Sequence, residues 1–110
     1  MRVPAKVRVL VLDRDNNKCV RCYQHVRVAH IQHRIPRGMG GSRDPASFRL
    51  SNLLTFCWRC NLVAVERERT EALDNGWVVS QWADPSTVAV KYRGKWAMLD
   101  DDGGVTYCER

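Results

Sequence analysis

The sequence predicts an α+β fold, and three observations predict it. Residues 26–35 alternate apolar and polar side chains, the period-2 signature of a strand. Residues 61–75 carry Leu62, Val65 and Leu73 at helical spacing, with Glu66, Arg67, Glu68, Arg69 and Glu71 outside that side. After Gly76 come four short β-like runs, at 77–79, 88–92, 95–99 and 105–107, separated by turn residues. At 110 residues the chain has the length of one domain. Residues 1–76 are expected to form its core, and 77–110 a β extension of that same domain.

The remaining elements follow in order. Residues 1–12 alternate loosely and suit either a short strand or a helical turn. Asp13-Arg14-Asp15-Asn16-Asn17 is polar and turn-forming, and leads into Cys19-Val20-Arg21-Cys22. Pro36 ends the alternating run, because proline cannot donate to a ladder. Arg37-Gly38-Met39-Gly40-Gly41-Ser42 then reads as a glycine-rich loop, extended by Asp44-Pro45. Residues 50–56 suit a second strand or a tight turn and run directly into Cys57-Trp58-Arg59-Cys60. Asn75-Gly76 is a helix stop. Arg93-Gly94 suits a tight hairpin turn, and residues 100–104 a wider one. Asp84, Asp100, Asp101 and Asp102 are expected to solvate turns rather than to hold a metal.

Cys19, Cys22, Cys57 and Cys60 form two Cys-x2-Cys pairs separated by 34 residues. A tight turn between paired cysteines can aim both sulfurs at one ion, and four soft ligands close a tetrahedral zinc shell. The long gap makes that ion a clasp around everything between the pairs. A short chain with 45% hydrophobic residues benefits from such a staple. A closed shell leaves no open position, so the zinc is expected to be structural. Cys108 has no partner at ligand spacing and is expected to remain a thiol. No apolar run is long enough for an export signal or a membrane span, so a cytoplasmic location with reduced thiols is the expectation.

The net charge is +6, and it is unevenly spread. Residues 1–50 hold 11 Lys/Arg against 3 Asp/Glu, a balance of +8, whereas residues 51–110 hold 7 against 9, a balance of −2. A basic half suggests a polyanionic partner on that side.

Between the cysteine pairs lie His30-Ile31-Gln32-His33-Arg34-Ile35-Pro36-Arg37-Gly38-Met39-Gly40-Gly41 and, later, Ser51-Asn52-Leu53-Leu54. Over residues 13–71 the chain resembles the HNH (ββα-metal) nuclease family, specifically its four-cysteine, phage-type members. In that family a histidine ends the first strand, a glycine-rich loop and an Asn-Leu pair follow, and Cys-x2-Cys opens the helix bearing the last metal ligand. The resemblance implies a ββα-metal finger that hydrolyses phosphodiester bonds, with double-stranded DNA as the expected substrate. It matches His33 to the general base and Asn52 to the central asparagine, which would hold the loop or orient His33. Asn61 falls where the final histidine lies, and Gln32 where the family has Asp or His as metal ligand. Both departures put neutral amides where stronger ligands would stand, so a catalytic Mg2+, Mn2+ or Ni2+ would be held weakly or with help from Glu66 or Glu68. Arg34, Arg37 and Arg43 would meet phosphates. For phage-type members the resemblance also implies packaging proteins as partners and the host cytoplasm as location.

Plainer roles stand beside these. His25 and His30 suit solvated or structural positions, and Trp58, Trp77, Trp82 and Trp96 suit the core. Asn52 and Asn61 are also good turn and cap residues. A zinc-stabilised nucleic-acid-binding module without catalysis is the alternative function. A zinc-scaffolded interaction protein is a third, which the basic half disfavours.

Overall fold

A computed structural model of the chain describes residues 3–36, 45–62 and 68–109. The first element is a helix, α1 (Ala5–Arg14). Helix wins over strand here because Val3, Val7 and Val11 recur at i, i+4 and form one stripe, which packs on Ile31, Leu50 and Leu53. Val9 and Leu10 stay exposed on the other side. Two successive left-handed residues, Asn16 (φ 56°) and Asn17 (φ 55°), end the helix. Asparagine tolerates that region better than most side chains.

Strand β1 (His30–His33) is shorter than the alternating run predicts. Val26 is taken out of the run because its N–H bonds the Asn17 carbonyl. Beyond His33 the chain peels away: Arg34 N–H donates to the Asn52 carbonyl and Ile35 N–H to the Asn52 side-chain oxygen. Two 3-10 turns, Pro45–Phe48 and Leu50–Asn52, lead into β2 (Leu53–Phe56). β1 and β2 pair antiparallel, with His33 opposite Leu53 and His30 opposite Phe56. All four β2 residues are buried, so both of its faces are covered. Helix α2 (Trp58–Cys60) follows at once.

The helix expected over 61–75 is not continuous. Glu68 has φ −113° and ψ 62°, outside the helical region, and starts a separate helix, α3 (Arg69–Asp74). Ala72 is its buried residue, whereas Leu73 is 46% exposed, contrary to the expected apolar side. α3 ends at Gly76, with φ +73°. A Cβ there would lie 2.2 Å from the Ala89 carbonyl oxygen, so only glycine fits. Gly76→Ala should therefore lower the unfolding free energy by at least about 1–2 kcal/mol, read from the denaturant midpoint of the zinc-loaded protein.

Residues 77–79 are buried but form no strand. Trp77 and Val78 N–H both donate to the Ala72 carbonyl, and Val79 N–H donates to that of Arg34, so none is left for a ladder. The expected meander follows: β3 (Val90–Tyr92), β4 (Lys95–Leu99) and β5 (Val105–Tyr107) pair antiparallel in that order. Arg93 (φ 49°) and Gly94 (φ 86°) make the two-residue β3–β4 turn. Positive φ at both positions matches the right-handed strand twist. The wider turn is solvated as expected, with Asp100 Oδ1 accepting from the N–H of Asp102 and Gly104.

The main apolar cluster joins the first knuckle (Cys19, Val20), β2 (Leu54, Phe56), α3 (Ala72) and the meander (Val90, Tyr92, Ala97, Leu99). A buried polar knot ties the same elements. Asp15, fully buried, accepts from Arg14 Nε (2.8 Å), Tyr92 Oη (2.7 Å) and Thr55 N (3.0 Å). Arg14 spends its remaining donors on the carbonyls of Leu50 and Leu53. Burial, reinforced by the Asp15 carboxylate, holds the Tyr92 hydroxyl protonated far above the usual phenol range.

Candidate functional site

The four-sulfur cluster forms as the spacing predicts. Cys19 and Cys22 sit on a tight knuckle closed by Cys19 N–H to the Gln24 carbonyl and Tyr23 N–H to the Cys19 carbonyl, both 2.9 Å. Tyr23 completes the turn at φ 68°, an uncommon conformation for a bulky side chain. Cys57 caps α2, its Sγ accepting from Cys60 N–H at 3.4 Å. Val20 links the first knuckle to both sheets: its N–H donates to the Thr55 carbonyl in β2, and its carbonyl accepts from Arg93 N–H in the β3–β4 turn.

All four Sγ atoms lie within 4.8 Å of one another, and those of Cys22 and Cys57 are 3.9 Å apart. Zn–S bonds of about 2.3 Å in a tetrahedron put sulfurs about 3.8 Å apart, so the cluster fits zinc. A disulfide needs about 2.05 Å, and all five cysteines are free. Burial pushes the Cys19 and Cys60 thiols up. At Cys57 burial also raises, but hydrogen bonds from Cys60 and the neighbouring cysteines outweigh it and the thiol is lowered. Burying such groups together is costly unless a cation stabilises the thiolates. Arg21 adds one outer contact, donating to Cys60 Sγ at 3.4 Å while pairing with Glu71 at 3.2 Å. Among the described residues this is the one group of metal-ligating side chains.

The residues between the cysteine pairs occupy three kinds of place. His33 ends β1 and is 7% exposed, its ring edge-on to Phe48 at 6.1 Å between centroids. Asn52, 1% exposed, is a clasp: its Oδ1 accepts from Ile35 N–H (2.9 Å) and its Nδ2 donates to the Ser47 carbonyl (3.0 Å). It thereby holds both ends of the connection between β1 and β2. Asp101, in the wide turn of the meander, steadies the neighbouring Ser51 through N–H and hydroxyl bonds and pairs with Arg49 at 2.8 Å. Burial works against the Asp101 carboxylate, but Ser51 and Arg49 hold it below the usual range. Asp84 caps the 3-10 turn Pro85–Thr87 and pairs with the same Arg49.

Gln32 lies in β1 on the face opposite His33, and its Nε2 donates to the His33 carbonyl at 2.7 Å. Asn61 follows α2 as its C-cap, half-buried, with its N–H on the Cys57 carbonyl. Glu68 is exposed at the start of α3. Glu66, Arg37, Arg43 and the glycines at 38, 40 and 41 lie outside the described residues.

Arg34 requires a correction. It was expected to meet phosphates, yet its side chain is fully buried. It donates to four carbonyls, of Gly76 (2.8 Å), Ser51 (2.9 Å), Pro85 (2.9 Å) and Val88 (2.8 Å). Burial, and then the nearby Arg14 cation, push its pKa down to about 10. It pins the end of β1 to the α3 terminus and the approach to β3.

The tryptophans also divide. Trp77 is core, edge-on to Phe56 at 6.0 Å, with its Nε1–H on the Lys91 carbonyl. Trp58 and Trp82 are instead 64% and 86% exposed. Trp58 is a spacer of the second Cys-x2-Cys and faces outward, whereas Val20, at the matching position of the first pair, is fully buried.

The chain matches no protein-family model, no curated protein and no solved structure.

Proposed function

We propose that this protein is a metal-dependent endonuclease of the HNH kind, hydrolysing phosphodiester bonds in DNA, with His33 as general base. The observation that most supports this is the order of parts around the cysteine cluster. An antiparallel strand pair runs straight into a sulfur-capped helix, His33 ends the first strand, and the Asn52 clasp closes the glycine-rich connection beside it. A neutral imidazole can accept a proton from the attacking water near neutral pH. Asn52 serves as the positioning residue, because the segment it fixes begins two residues after His33. A divalent cation on the Asn61 oxygen would stabilise charge on the phosphate and the departing oxygen, whereas Gln32 lies on the strand face away from His33. An uncharged donor binds a hard cation weakly, so activity should need millimolar rather than micromolar metal. Phosphate contact falls to Arg37 and Arg43, with Arg34 removed from that role. The four-sulfur site remains structural.

A second reading is a zinc-stabilised nucleic-acid-binding module without catalysis. The enclosure of His33 and the two amides favour it, since a general base must reach water. Plasmid nicking with Mg2+, Mn2+ or Ni2+ separates the two. Wild type should nick, and His33→Ala should be slower by about a hundredfold or more. Equal rates would remove His33 from the chemistry. Salt-sensitive binding with no cleavage under any metal would establish the module instead.

A further inference from the structure

Beside the cysteine cluster, the first knuckle and the start of α2 enclose an open groove of 670 Å³. Cys22, Cys57, Arg27, Val28, Trp58 and Arg59 are among the residues that line it. Among the described residues that line it none is acidic. Trp58 is 64% exposed and Val28 71%, and both arginines are exposed. Among the described residues neither Arg27 nor Arg59 pairs with a carboxylate, whereas Arg14, Arg21 and Arg49 all do. The backbone that carries the indole is also anchored. Cys57 caps the helix that begins with Trp58, and its sulfur belongs to the cluster, so the ring projects from a tethered turn.

A flat aromatic face beside two cations that pair with no carboxylate, in a groove with no carboxylate among its described lining residues, matches one polyanion chemistry. Bases stack on the ring and the phosphates between them meet the guanidinium groups. Base pairs within a duplex offer no free face, so the matching occupant is unpaired. We propose that this groove binds a single-stranded stretch of nucleic acid, with Trp58 stacking on a base and Arg27 and Arg59 meeting the neighbouring phosphates. The proposal rests on the nucleic-acid reading above and extends it. The groove would hold the strand on the zinc knuckle, away from His33.

Fluorescence anisotropy of a short labelled oligothymidylate, titrated with the zinc-loaded full chain at several salt concentrations, tests it. Trp58→Ala should weaken binding roughly tenfold, and Trp58→Phe should keep most of the affinity because it keeps a stacking face. The double variant Arg27→Ala/Arg59→Ala should reduce the slope of log affinity against log salt by about 1.4, two single-strand phosphate contacts. Trp82→Ala, on an exposed indole outside the groove, should change nothing. Cobalt substitution, read from its thiolate absorption bands, checks that each variant keeps the cluster. Wild type and groove variants binding oligothymidylate alike would overturn the groove proposal and leave nucleic-acid binding standing. So would binding to duplex DNA alone. Binding to neither would overturn both.

Discussion

Removing zinc from this protein should unfold it. Structural zinc on four thiolates contributes about 10–16 kcal/mol of apparent binding free energy near neutral pH, and a domain's whole stability is about 5–15 kcal/mol. The main apolar cluster contains Cys19 and Cys60, and Val20 carries bonds to both β2 and the β3–β4 turn. The knuckles are thus part of the core and not an appendage. Without the cation, burial holds the thiols at 19 and 60 in their protonated forms, at Cys60 even against the Arg21 contact. Far-ultraviolet circular dichroism during chelation should lose the native signal in step with zinc release, and zinc should restore it. Acid should do the same, because protons compete with the metal for sulfur. Cys60→Ser should mimic chelation, whereas Cys108→Ser, outside the cluster, should not. A chelated protein that kept its native spectrum would show that the sulfurs hold no structural metal.

What the sequence disclosed depended on whether each signal was local. The cysteine spacing was readable because two tight turns and one ion are all it requires. The meander and its Arg93-Gly94 turn were readable because a two-residue hairpin turn depends on two φ angles alone. Boundaries set by distant partners were not. β1 stops at His33 because Asn52, 19 positions further on, captures the next two backbone N–H groups. Residues 77–79 have a strand's composition, but their N–H groups turn back to Ala72 and Arg34. The helix expected over 61–75 breaks at Glu68, though its spacing gave no sign of a break. At the candidate site the split is similar. Asn52 as loop holder could be anticipated from its type, and the structure gives it that place. The outward Trp58 was not foreseeable from its place as a spacer, because Val20, at the matching position of the first pair, is fully buried.

Arg34 is where the sequence misleads most, and replacing it carries the second large effect. In a run of arginines and glycines beside a histidine, a cation reads as a phosphate ligand. Within the fold it is instead an interior crosslink with no carboxylate partner among the described residues, its charge spread over four carbonyl oxygens from three segments far apart in sequence. Arg34→Met keeps much of the volume and removes the burial cost of the charge, but it orphans those carbonyls. Arg34→Lys keeps the charge, but an ammonium has three donors and no planar fork, so it cannot reach all four. Each should cost about 3–5 kcal/mol, the range seen when one side of a buried charged network is lost. The midpoint of urea unfolding, taken with zinc saturating, measures this. The salt dependence of DNA binding, measured where both variants remain folded, should keep the wild-type slope, because no phosphate contact has gone. Near-native stability together with a slope lowered by about 0.9, one duplex phosphate contact, would return Arg34 to the surface and overturn its place as the interior tie between β1, α3 and the meander.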